Sequence, residues 1–329
     1  MYDEKIRLND FILQYFSLGE VRDLCFRLGV DFDDLDGSTR KDKARELVAY
    51  MSRRQRLADL YLLLKQLRSE PYTLAFPTLS TSAASPDRHI HEKTGIELLR
   101  IPAGPFLYGS ADNDKMARDD EKPQQKIDLP DYWISRAPVT NREYKRFLDA
   151  NPNYSVPFSL RLQDKPYVWD RERRIFPLNK ADHPVVLVSL EDAEAFCNWA
   201  GLALPTEEQW EKAARGTDGR SWPWGNEPPT PEHCNVTGFE AGTTLVGQYA
   251  PKGDSPYGCV DMAGNVWEWT ASRYTSRSMK DLAPVVRGSS WRSDNNITTR
   301  VAFRSYNDPL TKVNHGGFRV VELLSDPSF

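Results

Sequence analysis

The groups best able to do chemistry in this chain are four cysteines, Cys25, Cys197, Cys234 and Cys259, and five histidines, His89, His91, His183, His233 and His315. Paired thiolates hold soft metals such as Cu(I), and imidazoles hold zinc or iron, provided the spacing turns them towards one ion. Here the cysteines are scattered. No two histidines form an H-x-x-x-H or H-E-x-x-H pair, and His89 and His91 fall in a linker-like stretch, so a histidine-rich zinc or iron centre is not expected. Cysteine usage fits buried free thiols in a cytoplasmic protein, and spacing alone leaves a Cys234–Cys259 disulfide open.

Such groups must be positioned by folded elements, and composition divides the chain in two. All nine tryptophans lie between Trp133 and Trp291, and the first 70 residues have none. A length of 329 residues with 40% hydrophobic content suits two packed domains. A net charge of -4 and a pI near 5.8 give no reason to expect a nucleic-acid partner. The first residues, MYDEKIRLND, lack the apolar stretch of a signal peptide, and no run of about 18 apolar residues exists, so no membrane partner is expected.

Residues 1–70 read as a small all-α bundle. Phe11, Ile12, Tyr15 and Phe16 recur at helical spacing. Ser17-Leu-Gly-Glu20 has the form of a capping box, in which the serine hydroxyl accepts from the Glu20 amide while the glutamate reaches back. Val21, Leu24, Cys25 and Leu28 form the next apolar face, stopped by Gly29. Ala44, Leu47, Val48 and Met51 form another, and Leu57, Leu60, Leu63, Leu64 and Leu67 the last. The pattern resembles the bacterial death-like, effector-associated domains. That resemblance implies a partner with a similar domain, either a second copy or another death-like chain. Asp31, Asp33, Asp34 and Asp36 form an acidic loop; Arg40, Lys41, Lys43, Arg45, Arg53, Arg54 and Arg56 form a basic flank. One molecule's acidic face suits another's basic face, or both are ordinary solvated faces. Residues 71–95, rich in proline, serine and threonine without periodicity, read as a linker.

From residue 96 to 329 the chain reads as short strands, turns and a few helices. Glu97 to Ser110 alternates like a strand pair. Pro138 to Phe147 reads as a helix capped by Thr140 or Asn141. A second helix has Ser189 as cap and Gly201 as stop, and a third is capped by Thr206 with Trp210 and Ala213 facing inward. Together with Asp261-Met-Ala-Gly-Asn-Val-Trp-Glu-Trp269, Val286-Arg-Gly-Ser-Ser-Trp291 and Gly316-Gly-Phe-Arg319, these segments resemble the formylglycine-generating enzyme (sulfatase-modifying factor) family over roughly residues 96–322. The resemblance implies an α+β, C-type-lectin-like domain with much irregular loop.

It also implies bound Ca²⁺, held by hard oxygen ligands. Asp261 and Glu268 would supply carboxylates, and Gly264 and Val266 carbonyls. A second ion would begin at Asn235 and the Val236 carbonyl, with Glu240 nearby. The family's enzymes imply two cysteines between the last two motifs, gripping copper; the stretch from Arg287 to Arg319 has none, with Ser293 and Asn296 near those positions. An iron-dependent branch implies three histidines from an added helical domain, and the first histidine here is His89. The expectation is therefore that the chain is not an enzyme and holds no redox metal, with a copper- or iron-dependent oxidoreductase as the competing class.

Residues 287–319 bear a second resemblance, to variable proteins diversified by retroelements, which share this lectin-like fold. Arg287-Gly-Ser-Ser-Trp291, Arg300 to Arg304 and the Gly-Phe-Arg319 end look like the constant frame. Ser289 stands where a glycine is usual, Gly316 where an apolar residue is usual, and one residue is inserted before Arg300. Between them lie Arg292, Ser293, Asp294, Asn295, Asn296, Phe303, Ser305, Tyr306, Asn307, Asp308, Thr311, Val313, Asn314 and His315, each within reach of an AAC codon through changes at adenine. With Trp291 they form the expected ligand-binding set: aromatic groups bury area at low entropic cost, and asparagine, serine and aspartate adapt their hydrogen bonds. The expected ligand is a protein, contacted through residues 291–315. Arg300, Arg304 and Arg319 are expected to brace the frame.

Overall fold

The computed structural model describes residues 2–54, 56–68, 87–274, 283–293 and 296–323. The chain divides into two compact units, Met1–Ala83 and Ala84–Phe329.

Among the described residues the first unit holds four helices, α1 (Tyr2–Tyr15), α2 (Leu18–Leu28), α3 (Arg40–Arg53) and α4 (Leu57–Leu67). Ser17 and Glu20 close a capping box on α2, and Gly29 ends it in the left-handed region, where a residue lacking Cβ is unstrained. Thr39 and Asp42 cap α3 in the same way. Leu8, Phe11, Ile12, Val21, Leu24, Leu47, Met51 and Leu60 fill one core. The acidic loop is fixed from inside: the buried Lys43 donates from Nζ to the carbonyls of Phe32 and Leu35 at 2.9 and 2.5 Å, and its ammonium lies 4.7 Å from the Phe32 ring centre.

The second unit is α+β. Strands β1 (Arg88–Ile90), β2 (Glu97–Ile101), β5 (Tyr132–Ser135) and β10 (Val321–Leu323) form one sheet in that order. The expected linker thus ends earlier than residue 95: His89 pairs opposite Leu98, and its ring meets Trp133 edge-on. Residues 71–86 lie outside the described residues. Strands β3 (Gly104–Tyr108) and β4 (Gln125–Leu129) form a hairpin. A second four-stranded sheet runs β8 (Ser305–Tyr306), β7 (Ala283–Arg287), β6 (Trp267–Tyr274), β9 (Gly316–Phe318), with β6 and β9 parallel. Helices α5 (Asn141–Ala150), α6 (Leu190–Ala200) and α7 (Glu207–Arg215) are capped by Thr140, Ser189 and Thr206. The core is an aromatic cluster in which Tyr144 stacks on Phe196 and meets Phe318 and Trp169 edge-on. Among the described residues no helix is long and apolar enough to cross a membrane.

A candidate recognition site on a buried arginine frame

Four arginines from the last third of the chain reach inward to carboxylates on distant elements. Arg287, at the end of β7, meets Glu211 at 2.5 Å and Glu207 at 3.3 Å. Arg300 clamps Glu121 with both terminal nitrogens, at 2.8 and 2.7 Å. Arg304 pairs with Glu207. Arg319 donates to Glu268 from Nε and a terminal nitrogen, at 2.6 and 2.8 Å. The planar guanidinium fork suits such two-point contacts. The first three pairs tie the segment from Arg287 to Arg304 to α7 and to the short 3₁₀ turn Asp119–Glu121, and the fourth ties the end of β9 to β6. The bracing expected of Arg300, Arg304 and Arg319 is present. Their carboxylate partners were missed in the sequence, although Glu207 and Glu211, four apart on α7, carried a readable signal.

The expected ligand-binding residues divide on this frame. Tyr306 stands 43% exposed on edge strand β8, its ring stacked 4.8 Å from Tyr274. Trp291 is half-buried, donates from Nε1 to the Asn314 carbonyl at 3.2 Å, and carries Arg292 over its ring at 5.6 Å. Arg292, Asn296 and Asp308 are exposed; Ser293, Ser305, Asn307, Thr311, Val313 and His315 are half-buried. Two of the set are turned inward instead. Phe303 is 7% exposed, packed near Trp267 beneath Arg118, and Asn314 is 2% exposed, donating to the Gln163 carbonyl at 3.1 Å. Both have become packing groups, because the chain dips under the crest at those points. Asp294 and Asn295 lie outside the described residues. His315 is pushed down to about 4, by burial first and then by the Arg292 charge. Ser289, where glycine was noted as usual, has φ +69°, the region that favours glycine.

The carbonyl-rich turns expected to hold Ca²⁺ come together in part. Asn235 and Gly264 form a β-bridge, and the Asn235 carbonyl accepts from the Asn265 amide at 2.9 Å. The buried Oδ1 of Asn235 has no hydrogen-bond partner, as a ligand oxygen awaiting a cation would. Asp261 accepts from the Gly247 amide at 2.8 Å, and burial pushes its carboxyl up to about 6. Glu268 points elsewhere: Oε2 takes Trp210 Nε1 and Arg319 Nε, and Oε1 takes the second Arg319 nitrogen. The Val236 carbonyl closes a turn with the Phe239 amide, and Glu240 is exposed. Both Glu268 oxygens are thus taken by Trp210 and Arg319, which leaves Glu268 out of the expected ligand set. Val266, just before β6, is fully buried. All four cysteines are free and buried. Burial raises the Cys197 and Cys234 thiols to about 12, which leaves them protonated at neutral pH.

Residues 84–324 match the family model of the sulfatase-modifying factor enzyme 1-like domain. The chain belongs to that family. Residues 8–69 match the model of effector-associated domain 7. Among curated relatives, hercynine oxygenase of Mycolicibacterium smegmatis is 31% identical over 67% of this chain and 60% of its own length. The inactive C-alpha-formylglycine-generating enzyme 2 of Bos taurus is 32% identical over 68% of this chain and 87% of that one. The formylglycine-generating enzyme of Thermomonospora curvata is 31% identical over 68% and 92%. This chain thus spans less than two thirds of the oxygenase. In fold, the domain is similar to Treponema denticola variable protein 1, with a TM-score of 0.53 at 19% identity over 71% of this chain and 97% of that chain.

The expectation that the chain is not an enzyme is corrected by these relatives. Two carry enzyme names, so family membership points towards catalysis as well as away from it. Loss of the expected cysteine pair removes one donor set; it does not remove every chemistry that the fold supports.

Proposed function

We propose that the family domain recognises a protein ligand through the crest between Trp291 and His315, and that the effector-associated domain couples this event to a partner carrying a similar death-like domain. The observation that carries the reading is the contrast along one segment. Arg287, Arg300, Arg304 and Arg319 are locked on buried carboxylates, while Trp291, Arg292, Tyr306, Asn307 and Asp308 between them reach solvent or its edge. A rigid frame under adaptable polar and aromatic groups is how a recognition surface keeps its shape while its contacts vary. Capture of a ligand by the full chain and by a variant with alanine at Tyr306, Asn307 and Asp308 tests it. Equal capture removes the crest from the reading. A near-copy of the codons for residues 287–319 in the neighbouring DNA, beside a reverse transcriptase, tests diversification itself.

A second reading, an oxidoreductase of the family, is favoured by the enzyme names of the relatives. Copper held by two thiolates does not fit the donors at Ser293 and Asn296, whose oxygens and amide are poor Cu(I) ligands. Among the described residues no three His, Cys, Asp or Glu groups are arranged to hold a metal ion. Oxygen consumption by the chain with copper or iron and a cysteine peptide tests this reading directly.

A further inference from the structure

The loop from Lys180 to Pro184 is pinned across the start of α5. The Asn141 and Arg142 amides donate to the His183 and Ala181 carbonyls at 3.0 and 2.9 Å, and the Asn141 side chain donates to the Lys180 carbonyl at 2.8 Å. Lys180 is half-buried, with Nζ 3.3 Å from Nδ1 of His183 and 5.2 Å from the centre of the Tyr167 ring. Thr243 Oγ1 lies 2.9 Å from the same ring nitrogen. An ammonium has hydrogens and no lone pair, so a hydrogen bond between the two needs the Nδ1 lone pair. Burial, and then the Lys180 charge, push the His183 imidazole down to about 4, which leaves it neutral and able to accept at pH 7.

No anion offsets this amine. Among the described residues no carboxylate lies within ion-pair distance of Lys180 Nζ, and Asp182, two residues on, is turned to Arg142 at 2.9 Å. Burial therefore acts unopposed and lowers the Lys180 ammonium from its ordinary 10.5. Other lysines are placed differently. Lys252 and Lys312 meet Glu232 and Asp192 at 2.5 and 2.6 Å, and Lys145 pairs with Asp149. Lys212 is also lowered by burial, but it is 1% exposed and donates to the Pro102 and Gly104 carbonyls at 2.6 and 2.9 Å. Lys180 alone among these joins a partly open position to a neutral acceptor and the absence of a counter-ion. A desolvated lysine of that kind is nucleophilic near neutral pH, because more of it is free amine.

We propose that Lys180 is a site of covalent acylation, its amine taking the acyl group of an acyl phosphate while His183 holds that amine in place. The proposal stands apart from the recognition reading. The amine nitrogen attacks the carbonyl carbon, a nitrogen–carbon bond forms, and the bond from that carbon to the phosphate oxygen breaks. Phosphate leaves with the bonding pair, and the surplus proton of the nitrogen passes to it or to water. His183 is too weak a base to take that proton. Its part is to accept one amine hydrogen at Nδ1, which fixes where the nitrogen lone pair points. The product is a neutral amide beside the Tyr167 ring in place of a cation.

The test is timed exposure of the full chain to acetyl phosphate, with acetylation at each lysine followed by peptide mass spectrometry and divided by its rate in the urea-unfolded chain. At pH 7 Lys180 is expected to react at least about fivefold faster than Lys145 and Lys312, and the advantage should shrink towards pH 10, where every lysine is largely free amine. His183→Phe, which removes the acceptor, is expected to slow Lys180 by about threefold or more, and His183→Gln, which restores one, to recover part of the rate. Unchanged rates at Lys145 and Lys312 in the same samples show that the variants are folded. A Lys180 rate equal to or below those of the paired lysines overturns the site. An advantage that does not change with pH overturns its cause, the free amine. Equal rates in His183→Phe and the wild type remove His183 from the proposal.

Discussion

Glu268 and Arg319 form an ion pair in which neither side chain touches solvent, with the arginine Nε 2.6 Å from Oε2. Glu268 lies on β6 and Arg319 directly follows β9, so the pair locks β9 alongside its parallel neighbour β6. Truncating one member strands the other as a buried charge. Arg319→Met is expected to cost about 3–5 kcal/mol in urea unfolding. Glu268→Gln with Arg319→Met is expected to recover part of that loss, and a double variant no better than the single would contradict this account.

Asp261 gives a pH prediction. Its carboxyl is raised from 3.8 to about 6 because burial disfavours the anion. A carboxyl raised in the folded state supports folding while protonated, so its contribution is present below about pH 4 and is lost as pH rises through 6. A rise of that size corresponds to about 3 kcal/mol between the two states. In EDTA, Asp261→Asn is expected to melt higher than the wild type at pH 7, and the gap should close towards pH 4. A bound Ca²⁺ would offset the buried anion, so Ca²⁺ is expected to raise the wild-type melting temperature and leave Asp261→Asn unchanged. Identical curves with EDTA and Ca²⁺ would remove the ion.

In the helical unit, Lys43 holds the acidic loop from below through the carbonyls of Phe32 and Leu35. Hydrogen bonds from a charged donor contribute about 1.5–3 kcal/mol each, and the freed carbonyls can partly rehydrate. Lys43→Met is expected to destabilise this unit by about 2–4 kcal/mol, measured by amide exchange on α2 and α3. Exchange unchanged in both helices would show that the ammonium contributes little.

Tyr306 should separate binding from stability. It is 43% exposed, and its stack on Tyr274 contributes about 0.5–1.5 kcal/mol. Tyr306→Ala is therefore expected to lower stability by no more than about 1.5 kcal/mol while weakening ligand capture at least tenfold. A large loss of stability with unchanged capture would place Tyr306 in the frame instead.

The sequence by itself determined the elements whose causes are local. Ser17 with Glu20, Thr140, Ser189 and Thr206 cap helices because each hydroxyl accepts from an amide three residues on, and that arrangement needs nothing distant. Apolar spacing placed Val21, Leu24 and Cys25 in one core and Trp210 in the other, and the ordered motifs from Glu97 to Arg319 carried the family. What only the tertiary structure decided depends on groups far apart in the chain. Arg300 meets Glu121 and Arg319 meets Glu268 across long loops, so no spacing rule could pair them. The same long-range packing drew Phe303 and Asn314 inward, turned Glu268 towards Arg319, and left Tyr306 outside. A side chain's type suits it for a contact, but its burial is set by whatever the rest of the chain brings against it.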